Sequence, residues 1–278
     1  KASYVEKRTG SFIIELQWDR PDTSFAEILH LAGAIPLPPY IKRAAEKEDA
    51  ERYQTIYAQH DGSVAAPTAG LHFTPAVFEQ LKARSIATAY ITLHVGAGTF
   101  KPVKSDTIGE HDMHAEYIDV SLAFIQQLLQ QGTKPVIAVG TTSLRTLESL
   151  YWIGCKIWQQ QQQGITEHSG ALTLQQWEPY EMKTTTDTPT ALQALADWLI
   201  QTKQDRLVTR TQLLIVPGYR FRVIKGLVTN FHQPASTLLL LVAALVGPGW
   251  KDLYQYALDN DFRFLSYGDG CLLLPAGT

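Results

Sequence analysis

The chain has 278 residues, of which 45% are hydrophobic and 18% are charged, and this is enough for one large domain or two smaller ones. The formal net charge of −3 excludes a strongly basic protein, so any contact with nucleic acid must come from local patches. The two cysteines, Cys155 and Cys271, have no metal-type spacing and favour unpaired thiols in a reducing cytoplasm.

The start of the chain predicts a strand, a short helix and a connector. In residues 11–18, every second side chain is large and apolar (Phe12, Ile14, Leu16 and Trp18), which is the period of a β-strand. Ser24 and Glu27 have the spacing of a helix capping box, and Gly33 can end that helix. Three prolines within residues 35–43 then predict a stiff, extended connector and a domain boundary.

Helices and strands alternate beyond the connector, and this alternation predicts an α/β domain with a largely parallel core. Functional loops in such a core follow the carboxyl ends of the strands. The glutamines of residues 159–163 cannot bury apolar surface, so they predict a solvated loop. The predicted helices span residues 74–84, 121–131, 142–150 and 188–200. The predicted strands span residues 86–95, 135–139, 213–216 and 226–229.

The most apolar segment is the nine-residue run 238–246. A membrane span needs about 20 such residues, so this run predicts a helix that is buried on all sides in a protein core. Ser236 or Thr237 can cap its start, and Gly247 can end it. The polar stretch 230–232 precedes the helix directly, so a rigid element would fix the position of its asparagine and histidine.

Two clusters of small residues are candidate ligand contacts. In residues 62–74 the backbone can approach a ligand closely, although a small-residue turn packed under a helix is an equal alternative. In residues 92–103, His94 precedes a Gly-Ala-Gly-Thr turn that could receive a sugar or a purine. That turn lacks the third glycine of a dinucleotide-binding fingerprint, and taken alone it favours a plain tight turn.

A cluster of titratable residues lies in segment 110–116. His111, His114 and Glu116 are the best metal-ligand candidates in the chain, although no third histidine or cysteine stands at a usual ligand spacing. The simpler alternative is that His111 and Asp112 are solvated surface residues. The functional alternative is that Glu116 and His114 transfer protons or bind substrate hydroxyls.

A cluster of hydroxyl residues follows the predicted strand 135–139. Thr141, Thr142 and Ser143 begin the next helix, where hydroxyl and free N–H groups can hold a carboxylate or a phosphate. Arg145 would face either that anion or an internal acid. Ordinary helix capping by Thr142 or Ser143 is the alternative.

Together, these segments resemble the motif set of S-adenosylmethionine:tRNA ribosyltransferase-isomerase, the QueA family of queuosine biosynthesis. The matching segments follow the order of the family from residue 35 onwards, and "IPLPPYIKR" is similar to its interdomain segment. They are residues 62–74, 92–103, 113–116, 140–149, 229–244 and 264–270. The departures are small or apolar exchanges: Ala97 for leucine, Leu144 for valine, and Gly270-Cys271 for Ala-Met.

The resemblance implies two domains. Residues 1–34 would be the C-terminal part of a small β-barrel domain, whose front is absent from this chain. Residues 35–278 would be a large α/β catalytic domain with a mostly parallel, barrel-like core.

The resemblance also implies a reaction. The ribosyl moiety of S-adenosylmethionine would be transferred to 7-aminomethyl-7-deazaguanine at the tRNA wobble position and isomerised there. The products would be epoxyqueuosine in tRNA, adenine and methionine. S-adenosylmethionine would be consumed as a cosubstrate, and no metal is expected.

The expected partner is a tRNA with a GUN-type anticodon, which accepts Asp, Asn, His or Tyr. Residues 1–10 are mostly polar, contain no apolar run, and do not fit a signal peptide. We expect a cytoplasmic protein without a membrane partner, and we expect it to act as a monomer.

The reaction requires proton transfer, and histidine suits it because its pKa lies near neutrality. We expect His94 and His232 to transfer protons, with His72 and Glu116 orienting or relaying. The predicted substrate-binding residues are Thr68, Gly96, Gly98, Thr99, His114, Thr141, Ser143, Arg145, Asn230, Tyr267 and Asp269. The predicted tRNA contacts are Lys42, Arg43, Lys101 and Arg222, with Phe73, Phe100 or Phe231 as stacking platforms.

Two alternatives remain open at this point. One is a metal-dependent hydrolase that uses His111, His114 and Glu116 as ligands. The other is a noncatalytic RNA-binding homologue that kept the fold and lost the activity.

Overall fold

The computed structural model describes residues 1–8, 11–34, 36–59, 63, 65–94, 107–165 and 172–275. The chain divides into two compact units, Lys1–Pro36 and Leu37–Thr278. The division falls within the proline-rich segment 35–43.

The first unit is a hairpin followed by a helix. Strands β1 (Ala2–Arg8) and β2 (Ser11–Leu16) pair antiparallel, and helix α1 (Phe25–Ala32) follows. The Ser24 N–H donates to Glu27 Oε2 at 2.7 Å, and the Glu27 N–H donates to Ser24 Oγ at 3.3 Å. The predicted strand and the predicted capping box are therefore confirmed.

The second unit contains two small sheets. Strands β3 (Thr92–His94), β4 (Glu116–Ser121) and β6 (Arg206–Thr211) form an antiparallel sheet in the order β3-β4-β6. Strands β5 (Ile137–Val139), β7 (Gly226–Asn230) and β8 (Gly270–Leu273) form a mixed sheet in the order β5-β7-β8. In that sheet β5 is parallel to β7, and β8 is antiparallel to β7.

The chain is therefore mixed α/β, but the expected mostly parallel, barrel-like core is not found among the described residues. There, every pairing between named strands except β5–β7 is antiparallel. The prediction assumed that each helix is a crossover between parallel neighbours. Instead, β4 pairs on both sides with antiparallel strands, and neither β4 nor β8 was predicted.

Several helices begin at the caps that the sequence indicates. Helix α3 (Pro75–Ala83) is capped by Thr74, and helix α4 (Leu122–Gln130) is capped by Ser121. Helix α7 (Thr188–Gln201) begins with the Thr-Pro pair, and its cap is Asp187. Two short helices, α2 (Asp49–Arg52) and α6 (Glu178–Glu181), were not predicted.

The apolar run forms helix α8 (Thr237–Val246), with Ser236 accepting from the Leu239 N–H at 3.2 Å. Gly247 ends the helix with φ +75°, a left-handed conformation that glycine adopts without strain. Residues 241–243 and 245 in its second half are buried, whereas residues 238–240 in its first half remain partly exposed. The prediction of burial on all sides was wrong, whereas the helix and its ends are confirmed.

Helix α9 (Trp250–Asp259) follows α8 after a short 3₁₀ turn, Gly247–Gly249. The joined stretch Thr237–Asp259 has the length and apolar composition of a membrane span, and 33% of its most apolar window is buried. Length and composition are a weak indication, because core helices share both properties.

Helix α5 (Thr141–Gln162) runs through the core of this unit, and its residues 144–155 are all buried. It packs closely on α7, since a methyl group at Gly154 would lie 2.2 Å from the Ala191 carbonyl oxygen. The helix continues through the glutamines up to Gln162, so the predicted loop was wrong there. Glutamine has a good helix propensity, and α5 simply extends into it.

Candidate active site

The end of β7 brings together three residues that the sequence indicates. Asn230 is buried, and its Nδ2 donates to His72 Nε2 at 3.0 Å. Its Oδ1 accepts from Thr68 Oγ1 at 3.0 Å. Both partners belong to one 3₁₀ turn, Thr68–His72. Because an amide nitrogen can only donate, His72 Nε2 accepts in this contact.

Two glycines, Gly270 and Gly70, allow the close contacts that position His72. Gly270 pairs with Asn230 in the sheet, and a methyl group on it would lie 3.0 Å from Cδ2 of His72. Gly70 lies against Tyr57, because a methyl group there would come 2.0 Å from the tyrosine oxygen. The exposed His72 ring therefore rests against the backbone of β8, at a contact that a larger residue would displace.

His232 lies just beyond β7 and is buried. The ring atom Nε2 lies 3.0 Å from Thr229 Oγ1, and the backbone N–H of His232 donates to Tyr254 Oη at 3.0 Å. Burial lowers the pKa of His232 to about 4, so the imidazole is neutral at pH 7. A neutral ring in this place can orient a neighbouring group by hydrogen bonding.

Phe231 is buried and packs against other aromatic rings. Its ring centre lies 5.5 Å from Tyr254, 5.6 Å from Phe262 and 5.1 Å from Phe264. The prediction of Phe231 as a stacking platform for a base was therefore wrong, since the apolar core covers the ring. It instead holds the chain between Asn230 and His232 in place.

A second cluster joins β4 to α5. Arg145 Nη1 lies 3.0 Å from Glu116 Oε2, and both side chains are almost fully buried. Arg145 Nε also donates to the Leu213 carbonyl oxygen at 2.9 Å, and His114 Nε2 lies 3.5 Å from Glu116 Oε1. Burial raises the pKa of Glu116, but the Arg145 and His114 interactions outweigh it and hold the pKa below its ordinary value. Of the two partners expected for Arg145, the structure contains the internal acid.

One hydrogen-bond donor of the Glu116–Arg145 pair has no partner among the described residues. Arg145 Nη2 is buried and has no hydrogen-bond partner among the residues that the structure describes. A buried donor of this kind needs an acceptor, and an anionic group is the strongest one.

The start of α5 links the two clusters. The Gly140 N–H donates to the Val228 carbonyl oxygen at 2.9 Å, so the helix begins beside the end of β7. Gly140 is the N-cap, has φ +90°, and has no side chain that could cap the helix. The capping alternative for Thr142 or Ser143 was therefore wrong. Thr141 and Ser143 in the first turn of α5 are half-buried, and the first N–H groups of the helix have no partner within it.

A third cluster surrounds Asp49, which the sequence did not indicate. Arg43 donates to it from Nη1 at 2.6 Å and from Nη2 at 2.8 Å, and Tyr267 Oη donates at 2.8 Å. These donors hold the pKa of Asp49 well below its ordinary value. Burial and the Asp49 carboxylate raise the pKa of Tyr267 to about 12. Arg43 and Tyr267, expected at tRNA and substrate, therefore both contact this carboxylate.

Asp269 closes a turn. Its Oδ2 accepts from the Arg263 N–H at 2.7 Å, and its own N–H donates to the Arg263 carbonyl oxygen at 2.7 Å. Gly268 lies inside the turn, where a methyl group would come 2.3 Å from that same oxygen. One carboxylate oxygen of Asp269 is thus engaged in holding the segment before β8.

The structure also describes Lys42, Arg222 and the backbone of His94. Lys42 is exposed, while Arg222 is half-buried with its guanidinium 5.4 Å from the Tyr151 ring centre. The backbone of His94 ends β3, and its side chain lies outside the described part. Also outside it are Gly96, Gly98, Thr99, Phe100 and Lys101.

Within the described ranges, no three His, Cys, Asp or Glu side chains are grouped as metal ligands. Glu116, the carboxylate of the predicted metal cluster, is paired with Arg145 instead.

Glu148 is a fully buried acid that the sequence reasoning missed. It accepts from Tyr219 Oη at 2.9 Å and from the N–H groups of Arg222, Val223 and Ile224 at 2.9, 2.9 and 3.1 Å. The carboxylate thereby fixes the loop before β7. A glutamate among buried residues of a long helix was the available signal.

Comparison with known proteins identifies the chain. It matches the family described as queuosine biosynthesis protein over residues 1–273. The S-adenosylmethionine:tRNA ribosyltransferase-isomerase of Legionella pneumophila strain Corby is 43% identical over 98% of this chain and 68% of that protein. The enzyme of the same name from Sphingopyxis alaskensis is 41% identical over 99% of this chain and 66% of that protein.

A crystal structure of S-adenosylmethionine tRNA ribosyltransferase from Thermotoga maritima is 28% identical, with a TM-score of 0.46. That likeness covers 74% of this chain and 51% of the Thermotoga chain. The chain thus spans about two thirds of the Legionella and Sphingopyxis relatives, 68% and 66%. Because the family match extends over residues 1–273, this chain belongs to the queuosine biosynthesis protein family.

Proposed function

We propose that this chain carries the catalytic part of an S-adenosylmethionine:tRNA ribosyltransferase-isomerase. It transfers the ribosyl moiety to 7-aminomethyl-7-deazaguanine at the tRNA wobble position and isomerises it to epoxyqueuosine, releasing adenine and methionine. The observation that carries this proposal is 43% identity with a curated enzyme of that name over 98% of the chain. The clustering of His72, Asn230 and Thr68 at one strand end adds support.

The proton-transfer roles follow the environments of the side chains. His72 is the exposed member of its cluster, and its Nε2 lone pair is directed at the Asn230 amide. Displacing that amide would free the ring to take a proton. His232 is neutral and buried, so it orients Thr229 by hydrogen bonding. His94 remains a candidate base, and Glu116 acts by fixing Arg145.

The methionine carboxylate has a suitable receptor at the start of α5. The helix N-terminus carries partial positive charge and N–H groups that no capping side chain covers. Thr141 and Ser143 add hydroxyl groups, and the open Nη2 of Arg145 adds a charged donor. Asn230 and Thr68 would bind ribose hydroxyls or the purine edge.

The remaining assignments rest on the same family. The partner is a tRNA with a GUN-type anticodon in the cytoplasm, and the chain acts as a monomer without a membrane partner or a metal. Residues 1–34 belong to a small β-barrel domain, and residues 35–278 form the catalytic domain. The exposed apolar side chains of the hairpin, Tyr4, Phe12 and Ile14, suit a strand pair within a larger β domain.

The test is incubation with S-adenosylmethionine and tRNA that carries the aminomethyl-deazaguanine. Free adenine is measured over time, and the nucleosides are analysed by mass spectrometry. We expect Asn230→Ala to slow adenine release about 100-fold, because the His72 ring loses its anchor. Asn260→Ala, at the end of α9, is the control and should retain the wild-type rate. Absence of both adenine and epoxyqueuosine with the wild-type chain would overturn the proposal.

A further inference from the structure

The sheet β3-β4-β6 has one buried face and one open face. Along β4, Ile118 and Val120 are buried, whereas Tyr117 is 44% exposed. Along β6, burial alternates in the same way, and Val208 is 62% exposed. We call the residues on the open side, Tyr117, Asp119, Arg206, Val208 and Arg210, the outer face. An antiparallel sheet can pack one face on the core and leave the other accessible to a partner.

The centre of the outer face is an arginine stacked on a tyrosine. Tyr117 and Arg210 lie opposite each other in the register of β4 and β6. The guanidinium carbon of Arg210 lies 4.3 Å from the Tyr117 ring centre, and Arg210 also donates to the tyrosine oxygen. The pair joins two neighbouring strands across the sheet, so each side chain restricts the position of the other.

The charges of the outer face are unequal. Arg206 Nη1 lies 3.0 Å from Asp119 Oδ2, and this pair is close to neutral. Arg210 has no carboxylate among its described contacts and adds one uncompensated positive charge. The surface therefore combines a planar ring, a planar cation and a net positive charge. Unstacked nucleotides have the complementary features, a planar base and a phosphate.

We propose that the outer face binds single-stranded nucleotides of the tRNA anticodon loop. One base stacks on the Tyr117–Arg210 pair, and a neighbouring phosphate contacts Arg206. This inference rests on the proposed function, because it takes tRNA as the substrate. The position suits that partner, since His94 of β3 lies opposite Tyr117 in the register. The bound loop would thus lie one strand away from a candidate for the proton transfer.

The first experiment measures the affinity of the whole chain for a fluorescent anticodon stem-loop RNA by anisotropy. We expect Tyr117→Ala to weaken binding about tenfold, because a stacking surface is lost. Tyr117→Phe keeps the ring and should bind within about twofold of wild type. Tyr256→Ala removes a tyrosine of α9 that is 63% exposed, and it is the matched control with unchanged affinity.

A second variant is expected to bind the RNA more tightly, a result that a misfolded protein would not give. Asp119→Asn removes the negative charge of the outer face and frees Arg206. We expect binding to tighten about threefold at low salt, with a steeper loss of affinity as salt is added. Weaker or unchanged binding would contradict the proposed phosphate contact.

The outcomes separate this inference from the proposed function. If wild type binds the RNA and forms epoxyqueuosine, but Tyr117→Ala binds equally well, the inference is overturned and the function stands. If wild type forms epoxyqueuosine in tRNA but does not bind the anticodon stem-loop, the inference is overturned and the function stands. If wild type forms neither adenine nor epoxyqueuosine, the proposed function is overturned, and with it the inference that rests on it. Selective weakening by Tyr117→Ala, with tightening by Asp119→Asn, supports the outer face as the contact surface.

Discussion

Glu116 and Arg145 form an ion pair in the core, with 3.0 Å between Oε2 and Nη1 and at most 4% of either side chain exposed. The pair joins the first residue of β4 to the second turn of α5. Arg145 also binds the Leu213 carbonyl oxygen, so one guanidinium connects three segments. A buried pair of this kind stabilises weakly as a whole, but loss of one member leaves an uncompensated charge.

We therefore predict that Glu116→Gln lowers the free energy of unfolding by about 3 kcal/mol. Urea denaturation followed by circular dichroism measures this change. Glu79→Gln on the exposed side of α3 is the control, and it should change stability little. A loss below about 1 kcal/mol, the range of exposed ion pairs, would contradict a buried pair.

Gly270 is expected to be required for activity. A methyl group there would lie 3.0 Å from Cδ2 and 3.1 Å from Nε2 of His72, so the ring must move. We predict that Gly270→Ala slows adenine release about 10- to 100-fold while the melting temperature changes little. Gly109→Ala is the control, because no atom of the described residues other than its chain neighbours lies within 4 Å of the added carbon. Full activity of Gly270→Ala would show that the position of His72 is unimportant.

The stability of the protein should depend on pH through His232. Its pKa is lowered from an ordinary 6.5 to about 4, so the unfolded chain takes up the proton first as pH falls. The stabilising contribution is complete above pH 6.5 and is lost between pH 6.5 and about 4. We predict that His232→Gln removes roughly 3 kcal/mol of this pH dependence. Denaturation curves measured across that interval provide the comparison, and parallel curves for both proteins would refute the assignment.

Glu148 should control the loop that it binds. In Glu148→Gln, one carboxylate oxygen becomes an NH₂ group, which cannot accept from the loop N–H groups. We predict a loss of about 2 kcal/mol in stability and faster amide hydrogen exchange at residues 222–224. Hydrogen exchange with mass spectrometry detects this, and exposed Glu181→Gln is the control. Unchanged protection of those amides would mean that other contacts hold the loop.

Local sequence signals predicted most of the helices. The caps Ser24, Thr74, Ser121 and Ser236 each act within three residues, so a short window contains the whole signal. Strand β6 was missed because the contacts that bury its polar residues are distant in the sequence. Two of its buried residues, Thr209 and Thr211, are polar, and they are satisfied by distant partners. The apolar run 213–216 therefore seemed the better strand, although it is not one.

The residues of the candidate site were found more readily than their partners. His72, Asn230 and Arg145 stand in recognisable segments, but nothing local indicates that Asn230 binds His72. The pair Asp49–Tyr267 is 218 residues apart, and Asp49 has no distinctive neighbours. Such pairings arise only from tertiary packing, which a single sequence does not display.

The contact between Gly270 and His72 also has a consequence for biosynthesis. His72 leaves the ribosome early, Asn230 follows 158 residues later, and Gly270 emerges last of the three. At about 5–20 residues per second, translation separates the first from the last by roughly 10 to 40 seconds. In that interval β8 is absent, so the Gly270 backbone is not yet available to contact the His72 ring. Folding of β8 therefore completes the arrangement of His72, Asn230 and Gly270.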